Sequence, residues 1–121
     1  MNVRKIKDKK GNTMKIITIC GDPVKQESEI TYIAEQMTCH GEYCVLTPVV
    51  PFVKRPGALG TTPNDVIHLN NAHRKKIDLS EAILAMDVNG TIDPILENWI
   101  KYAQNVHKQV LYYSREIHNY R

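Results

Sequence analysis

The fold is decided by one stretch, Ile83-Leu84-Ala85-Met86-Asp87-Val88-Asn89-Gly90-Thr91-Ile92-Asp93-Pro94. It begins with an apolar run without polar alternation, which favours a strand buried on both faces of a parallel sheet. Asn89-Gly90 is a turn signal, because both residues tolerate positive φ. Asp93 followed by Pro94 predicts a helix N-cap and then the first helical residue. A strand tip, a short loop and a helix start therefore converge, and in open α/β sheets ligands bind at such an edge.

Strand and helix patterns alternate on both sides of this stretch. Further strands are predicted at 15–20, 43–47 and 109–113, and helices at 26–39, from Pro63 onward, and at 94–105. This alternation predicts a parallel sheet with right-handed crossovers. We therefore expect an α/β fold, a three-layer flavodoxin-like sandwich with a four- or five-stranded parallel sheet, whose first four strands lie in the order 2-1-3-4. The folded domain is expected over residues 14–113, with a C-terminal tail at 114–121 whose state the pattern does not predict.

Length and cysteine usage limit the class of protein. The 121 residues suffice for one domain with its own core. Cys20, Cys39 and Cys44 are odd in number and lack zinc-ligand spacing, which predicts reduced thiols and a cytoplasmic protein without metal or cofactor. The sequence has no apolar segment long enough for a membrane span and no signal-peptide core, so we expect no membrane association.

The positive charge of the chain is concentrated at its N-terminus. The net charge is +3, but residues 1–13 hold five basic residues and one acid, while the remainder holds eleven basic and twelve acidic residues. We expect residues 1–13 to be a disordered basic extension. The domain itself lacks the basic excess of a nucleic-acid-binding surface, so a nucleic-acid partner is expected for the tail at most.

Three strand tips are predicted to meet at the carboxyl edge of the sheet: Cys20-Gly21-Asp22, Thr47-Pro48, and the segment 87–93. The helix starts near Gln26 and Pro94 would offer amide hydrogens suited to a phosphate or another anion. There is no GxGxxG and no GxxxxGK[ST], so neither a dinucleotide nor a P-loop site is indicated. The segment 49–62 is either a lid over this edge or a disordered loop.

Four acids lie near the predicted edge: Asp22, Asp87, Asp93 and Glu97. Asp87, Asp93 and Glu97 could divide the nucleophile and acid/base roles of glycosidic cleavage. Asp93 is better explained as a helix cap than as a catalyst, and Glu97 is explained as a first-turn acid. Asp87 could equally be an acceptor for backbone amides. His73 lies on the apolar stripe of the second helix and is either a half-buried structural histidine or part of the site.

Several segments resemble the small nucleoside 2-deoxyribosyltransferase-like proteins, and more closely a bacterial and phage subgroup of unassigned function. The segments are Ile16-Ile17-Thr18-Ile19-Cys20-Gly21, His73-Arg74-Lys75-Lys76-Ile77-Asp78-Leu79-Ser80, Asn89-Gly90-Thr91-Ile92 and Ile100-Lys101-Tyr102-Ala103. The resemblance covers about residues 15–113. It implies a flavodoxin-like fold, an oligomer, and a nucleoside or nucleotide bound at the sheet edge. In the family's enzymes, a glutamate near the start of the third helix attacks the anomeric carbon of the deoxyribose.

This chain departs from the family where the chemistry lies. Trp99 stands at the position of the glutamate nucleophile, and Glu97 lies about 200° around the helix from it. His73 stands where the transferases use an aspartate on the second helix. Both family carboxylates are therefore missing.

Three interpretations follow. In the first, which we favour, the protein binds a nucleoside or nucleotide without turnover, and Trp99 stacks on the base. In the second, it is an active N-glycosidase or 2-deoxyribosyltransferase that uses Asp87, Asp93 or Glu97. In the third, Trp99 is a core or subunit-interface residue with no ligand nearby. The resemblance implies a homo-oligomer, and the aromatic residues Tyr112, Tyr113 and Tyr120 also suggest a subunit contact. The predicted ligand-binding residues are Cys20, Gly21, Asp22, Pro48, His73, Asn89, Gly90, Thr91 and Trp99.

Overall fold

A parallel sheet lies at the centre of the computed structural model, which describes residues 6–7, 13–49 and 62–120. The strands are β1 (Ile6–Lys7), β2 (Thr13–Cys20), β3 (Tyr43–Leu46), β4 (Ala82–Ala85) and β5 (Gln109–Tyr112). The long helices are α1 (Glu27–Cys39), α2 (Pro63–Leu79) and α3 (Pro94–Asn105). Among the helices of these described residues, none is long and apolar enough to cross a membrane.

The topology confirms the predicted α/β fold. Strands β3, β2, β4 and β5 are neighbours in that order and all pair in parallel, so the four main strands have the predicted order 2-1-3-4. The fifth strand, β1, is antiparallel and pairs Ile6 with Met14 and Lys7 with Thr13. The segment 1–13, expected to be disordered, therefore contains a short strand at residues 6–7.

The strands separate two apolar layers because successive side chains point to opposite faces of the sheet. On β2, Ile17 and Ile19 belong to one buried cluster and Cys20 belongs to the other. The first cluster is completed by α1, and the second by α2 and α3; their buried residues are Ile30, Ile33 and Met37, then Ile77, Leu96, Ile100 and Ala103. Helices thus cover both faces, which gives the three layers expected of a flavodoxin-like sandwich.

The deciding stretch folds as its residue types predict. After β4 the chain makes a single 3₁₀ turn at Val88–Gly90, in which Asn89 and Gly90 adopt φ values of 57° and 75°. Asp93 then caps α3: its side chain accepts a hydrogen bond from the Leu96 amide at 2.7 Å, and Pro94 is the first helical residue. Capping and the left-handed turn fix where α3 begins relative to the sheet edge.

The C-terminal residues form a short helix α4 (Tyr113–Glu116) and a 3₁₀ turn (Ile117–Tyr120), neither of which the sequence pattern predicts. Ile117 is only 4% exposed and joins the core beside α1. The ring of Tyr120 packs edge-on against His40, with centroids 5.0 Å apart. Tyr113 and Tyr120 pack against the α1-side core and Tyr112 against the opposite one, so these tyrosines serve packing within the chain. The homo-oligomer stays a prediction.

Asp87 attaches this C-terminal segment to the end of β4. Its carboxylate accepts hydrogen bonds from the Ser114 amide at 2.8 Å and from the Ser114 hydroxyl at 2.7 Å, and the residue is 6% exposed. The structure therefore gives Asp87 the role of an acceptor for backbone and side-chain donors at a strand end. Its proposed part in catalysis has no support from this geometry.

We predict that Asp87→Ala lowers the free energy of unfolding by about 1–3 kcal/mol, because it leaves the donors of Ser114 without their buried acceptor. The matched control is Glu97→Ala, which removes a 57%-exposed carboxylate paired with Lys101 and should change stability by less than about 0.5 kcal/mol. Urea denaturation followed by circular dichroism measures both variants. Equal losses would contradict the assigned role of Asp87.

Candidate functional site

A cleft of about 300 Å³ opens at the carboxyl ends of β2 and β4. This edge is the switch point of the sheet, since the chain crosses from β2 to β3 in one direction and from β3 to β4 in the other. The volume lies at the lower end of the range for small-molecule pockets. Of the predicted site residues, those that line the cleft are Gly21, Asp22, Pro48, His73, Thr91, Asp93 and Trp99.

An aromatic pair forms one wall of the cleft. His73 on α2 and Trp99 on α3 meet edge to face, with ring centroids 4.5 Å apart and an interplanar angle of 67°. Trp99 is half-buried and also packs against the α2/α3-side core, as the third sequence interpretation expected. The indole therefore serves both the core and the cleft, and it borders the cleft without filling it.

The His73 imidazole is held neutral by its surroundings. Its Nε2 atom lies 3.3 Å from the Cys20 sulfur, and the histidine is 8% exposed. Burial lowers the pKa of His73 to about 4, and the positive charge of Lys76 acts in the same direction. Burial also raises the pKa of the Cys20 thiol to about 12, so this contact joins a neutral thiol and a neutral ring near pH 7.

The residues around Gly21 leave no space for a side chain at this position. A Cβ atom at this position would lie 2.6 Å from Gln26 Oε1 and 2.8 Å from Met86 Cβ, distances that packed atoms do not tolerate. Gln26 links these neighbours: its amide accepts from the Asp22 N–H and donates to the Met86 carbonyl, both at 3.0 Å. The close approach at Gly21 is therefore made by other residues of the chain.

The two aspartates of the cleft both cap backbone amides. Asp93 accepts from the Leu96 amide at the start of α3. Asp22 accepts from the amides of Val24 and Lys25 at 2.9 and 3.0 Å, in the turn that leads into α1. The capping interpretation of Asp93 is thus confirmed, and the same carboxylate still borders the cleft.

The remaining predicted residues lie outside the cleft lining. Cys20 is buried behind His73, and Asp87 is engaged by Ser114. Asn89 and Gly90 form an exposed turn, and Glu97 points to solvent in an ion pair of 3.3 Å with Lys101. Glu97 lies two residues before Trp99, a separation that turns it about 200° around α3. It therefore faces away from the cleft that Trp99 borders. The lid predicted over 49–62 falls mostly on residues 50–61, which lie outside the described residues.

Sequence reasoning missed several lining residues, among them Leu69, Asn70, Gln26, Met86, Ile95 and Leu96. One signal was present: Leu69, Asn70 and His73 recur at spacings of three and four, so they share one face of α2. Met86 and Gln26 carry no such signal, since their place in the lining depends on how the turns after β2 and β4 pack together.

The comparisons with known proteins do not identify a family. No protein-family model, no curated protein and no solved structure matches this chain. Among the residues that the structure describes, no group of three or more His, Cys, Asp or Glu side chains is placed to hold a metal ion. The chemistry of the cleft therefore has to be argued from its own side chains.

The depressed pKa of His73 predicts a pH dependence of stability. Well above pH 6.5 the residue is neutral both folded and unfolded, so it adds no pH dependence there. Between pH 6.5 and about 4 the unfolded chain binds a proton that the folded chain does not, so stability falls with decreasing pH. The loss attributable to His73 should reach about 3 kcal/mol by pH 4.

His73→Gln removes this titration, so its urea midpoint should fall less than the wild-type midpoint between pH 7 and pH 4. His118→Gln, at an exposed position, is the matched control and should leave the wild-type slope unchanged. Parallel pH profiles for wild type and His73→Gln would contradict a buried neutral imidazole.

Proposed function

We propose that this chain is a nucleoside- or nucleotide-binding protein related to the small nucleoside 2-deoxyribosyltransferase-like proteins, and that it lacks their turnover. The proposal is carried by the cleft at the carboxyl edge of the sheet, walled by Trp99 and His73. A flat heteroaromatic base suits this wall, since stacking on an aromatic side chain contributes about 1–3 kcal/mol per base. Apolar residues of α3 and the β4 turn, Ile95, Leu96 and Val88, extend the surface that would contact it.

The arrangement of acids supports binding over chemistry. A glycosyl-transfer nucleophile needs a carboxylate that faces the sugar and is free to form a bond. The position of the family's glutamate is Trp99, and Glu97 is directed to solvent. Asp87 is buried against Ser114, and Asp93 already accepts the Leu96 amide. Glu97 and Asp87 are thus turned away from the cleft or engaged elsewhere, and Asp93 borders the cleft while it caps α3.

One observation favours the alternative, an active N-glycosidase or 2-deoxyribosyltransferase. Asp22 and Asp93 both line the same cleft, and a pair of carboxylates is the chemical minimum for acid and nucleophile roles. Asp93 is the member of the predicted catalytic set that retains access to the cleft. The alternative therefore depends on this residue.

We predict that a panel of nucleosides and nucleoside monophosphates changes the fluorescence of Trp99, the single tryptophan of the chain. Calorimetric titration of the ligand that responds best should then show an affinity loss of roughly 5- to 150-fold in Trp99→Leu, the equivalent of the stacking energy. Tyr102→Leu, an aromatic residue on the same helix outside the cleft lining, is the control. If no ligand of the panel alters the emission, the binding proposal is wrong.

We predict that incubation with the deoxynucleosides and deoxynucleotides releases no free base, as followed by liquid chromatography. Release would favour the enzymatic alternative, and its dependence on Asp93 would then be tested with Asp93→Asn. Asparagine preserves the helix cap but is a poor nucleophile and acid. Glu97→Ala serves as the second variant, and loss of release there would show that this glutamate reaches the substrate after all.

A further inference from the structure

The charged side chains among the described lining residues of the cleft are all acidic. Asp22 and Asp93 line it, and no lysine or arginine is among its described lining residues. The histidine of the wall, His73, is neutral near pH 7 because it is buried. Lys76, which lies behind this wall, is not part of the lining. Its ammonium group donates a hydrogen bond to the Thr47 carbonyl at 2.7 Å. The described surface of the cleft therefore carries two negative charges without a facing positive one.

Several amides at and near the two adjoining helix starts are already paired, although Gln26, the N-cap of α1, makes no side-chain capping bond. At α3, Pro94 has no amide hydrogen, Leu96 donates to the Asp93 side chain, and Glu97 donates to the Asp93 carbonyl. In the turn before α1, Val24 and Lys25 both donate to the Asp22 carboxylate. The sequence predicts that a phosphate binds at these helix starts. The structure instead has the carboxylates of Asp93 and Asp22 beside them.

We propose that the cleft selects for an uncharged nucleoside and against its 5′-phosphate, and that Asp22 and Asp93 determine this selectivity. The inference rests on the nucleoside-binding function proposed above and narrows it to one class of ligand. A phosphate brought within several ångströms of two carboxylates is repelled, and water screens the half-buried Asp22 less than the exposed Asp93. A sugar hydroxyl has the opposite relation, since it donates a hydrogen bond to a carboxylate oxygen.

The test compares each nucleoside with its own 5′-monophosphate by calorimetric titration of the full chain. Adenosine, deoxyadenosine, deoxycytidine and thymidine, with their monophosphates, are the probes. The best-binding nucleoside should bind at least roughly tenfold more tightly than its monophosphate at low salt. Raising the sodium chloride concentration from 20 to 500 mM should narrow the difference, because salt screens a repulsion.

Charge-removing variants assign the effect to the two residues. Asp22→Asn and Asp93→Asn keep an oxygen that accepts the capping amides, so the fold is retained while one charge is lost. Each should strengthen monophosphate binding by roughly threefold, and the double variant by more. Glu35→Gln, an exposed residue on α1 outside the cleft, removes the same charge and should leave the ratio of affinities unchanged.

The outcomes separate this inference from the function on which it rests. If a monophosphate binds as tightly as its nucleoside, or if its affinity falls as salt rises, the selectivity is overturned while nucleotide binding stands. If the ratio responds to Glu35→Gln as strongly as to Asp93→Asn, the selectivity does not come from the cleft carboxylates and the inference is likewise overturned. If no nucleoside and no monophosphate binds, both proposals are wrong.

Discussion

The parallel pairing of β2 with β4 is the constraint on which the rest of the structure depends. Cys20, the last residue of β2, lies opposite Ala85, and the Met86 amide donates to the Cys20 carbonyl at 2.9 Å. Beyond this hydrogen bond the segments that follow β2 and β4 diverge, one leading to α1 and the other to α3. The separation opens the cleft, and the contact of Gly21 with Met86 and Gln26 closes its floor. A side chain at residue 21 would force the two turns apart.

Helix capping and the electrostatics of the cleft arise from the same two aspartates. A carboxylate near a helix start is stabilising, because it accepts amide hydrogens and faces the positive end of the helix dipole. Here, however, Asp22 and Asp93 also border an open cleft. Their negative charges therefore reach whatever enters it. In many α/β proteins free amides at such a position bind a phosphate. Here some of the amides have an internal partner instead, Leu96 donating to Asp93 and Val24 and Lys25 to Asp22.

The aromatic wall of the cleft consists of groups that are neutral near pH 7. His73 is buried between the Cys20 thiol and the Trp99 ring, and burial keeps both the histidine and the thiol neutral. Neutral, close-packed groups are poor acids and nucleophiles, but they form a rigid surface on which a planar ligand can lie. The shape of the cleft is thus determined by packing and capping interactions that also stabilise the fold.

Much of the fold follows from local patterns. The apolar run before Met86, the left-handed turn at Asn89-Gly90 and the Asp93-Pro94 cap each behave as their residue types dictate, because φ preferences and capping act within a few residues. The strand order also follows, since right-handed crossovers leave few ways to arrange alternating strands and helices. These local features are enough to predict the edge of the sheet at which the cleft lies.

The membership of the site was decided by tertiary structure. The sequence determined that Glu97 and Trp99 point in different directions, because helical periodicity is local, but it left open which of them faces the cleft. Likewise, Asp87 follows β4 and Asp93 caps the start of α3, yet Asp87 is buried against Ser114 of α4 whereas Asp93 stays open to the cleft. Such outcomes depend on contacts between residues distant in the chain. The sequence alone therefore determined the elements and their order, and only their packing decided which carboxylates remain accessible.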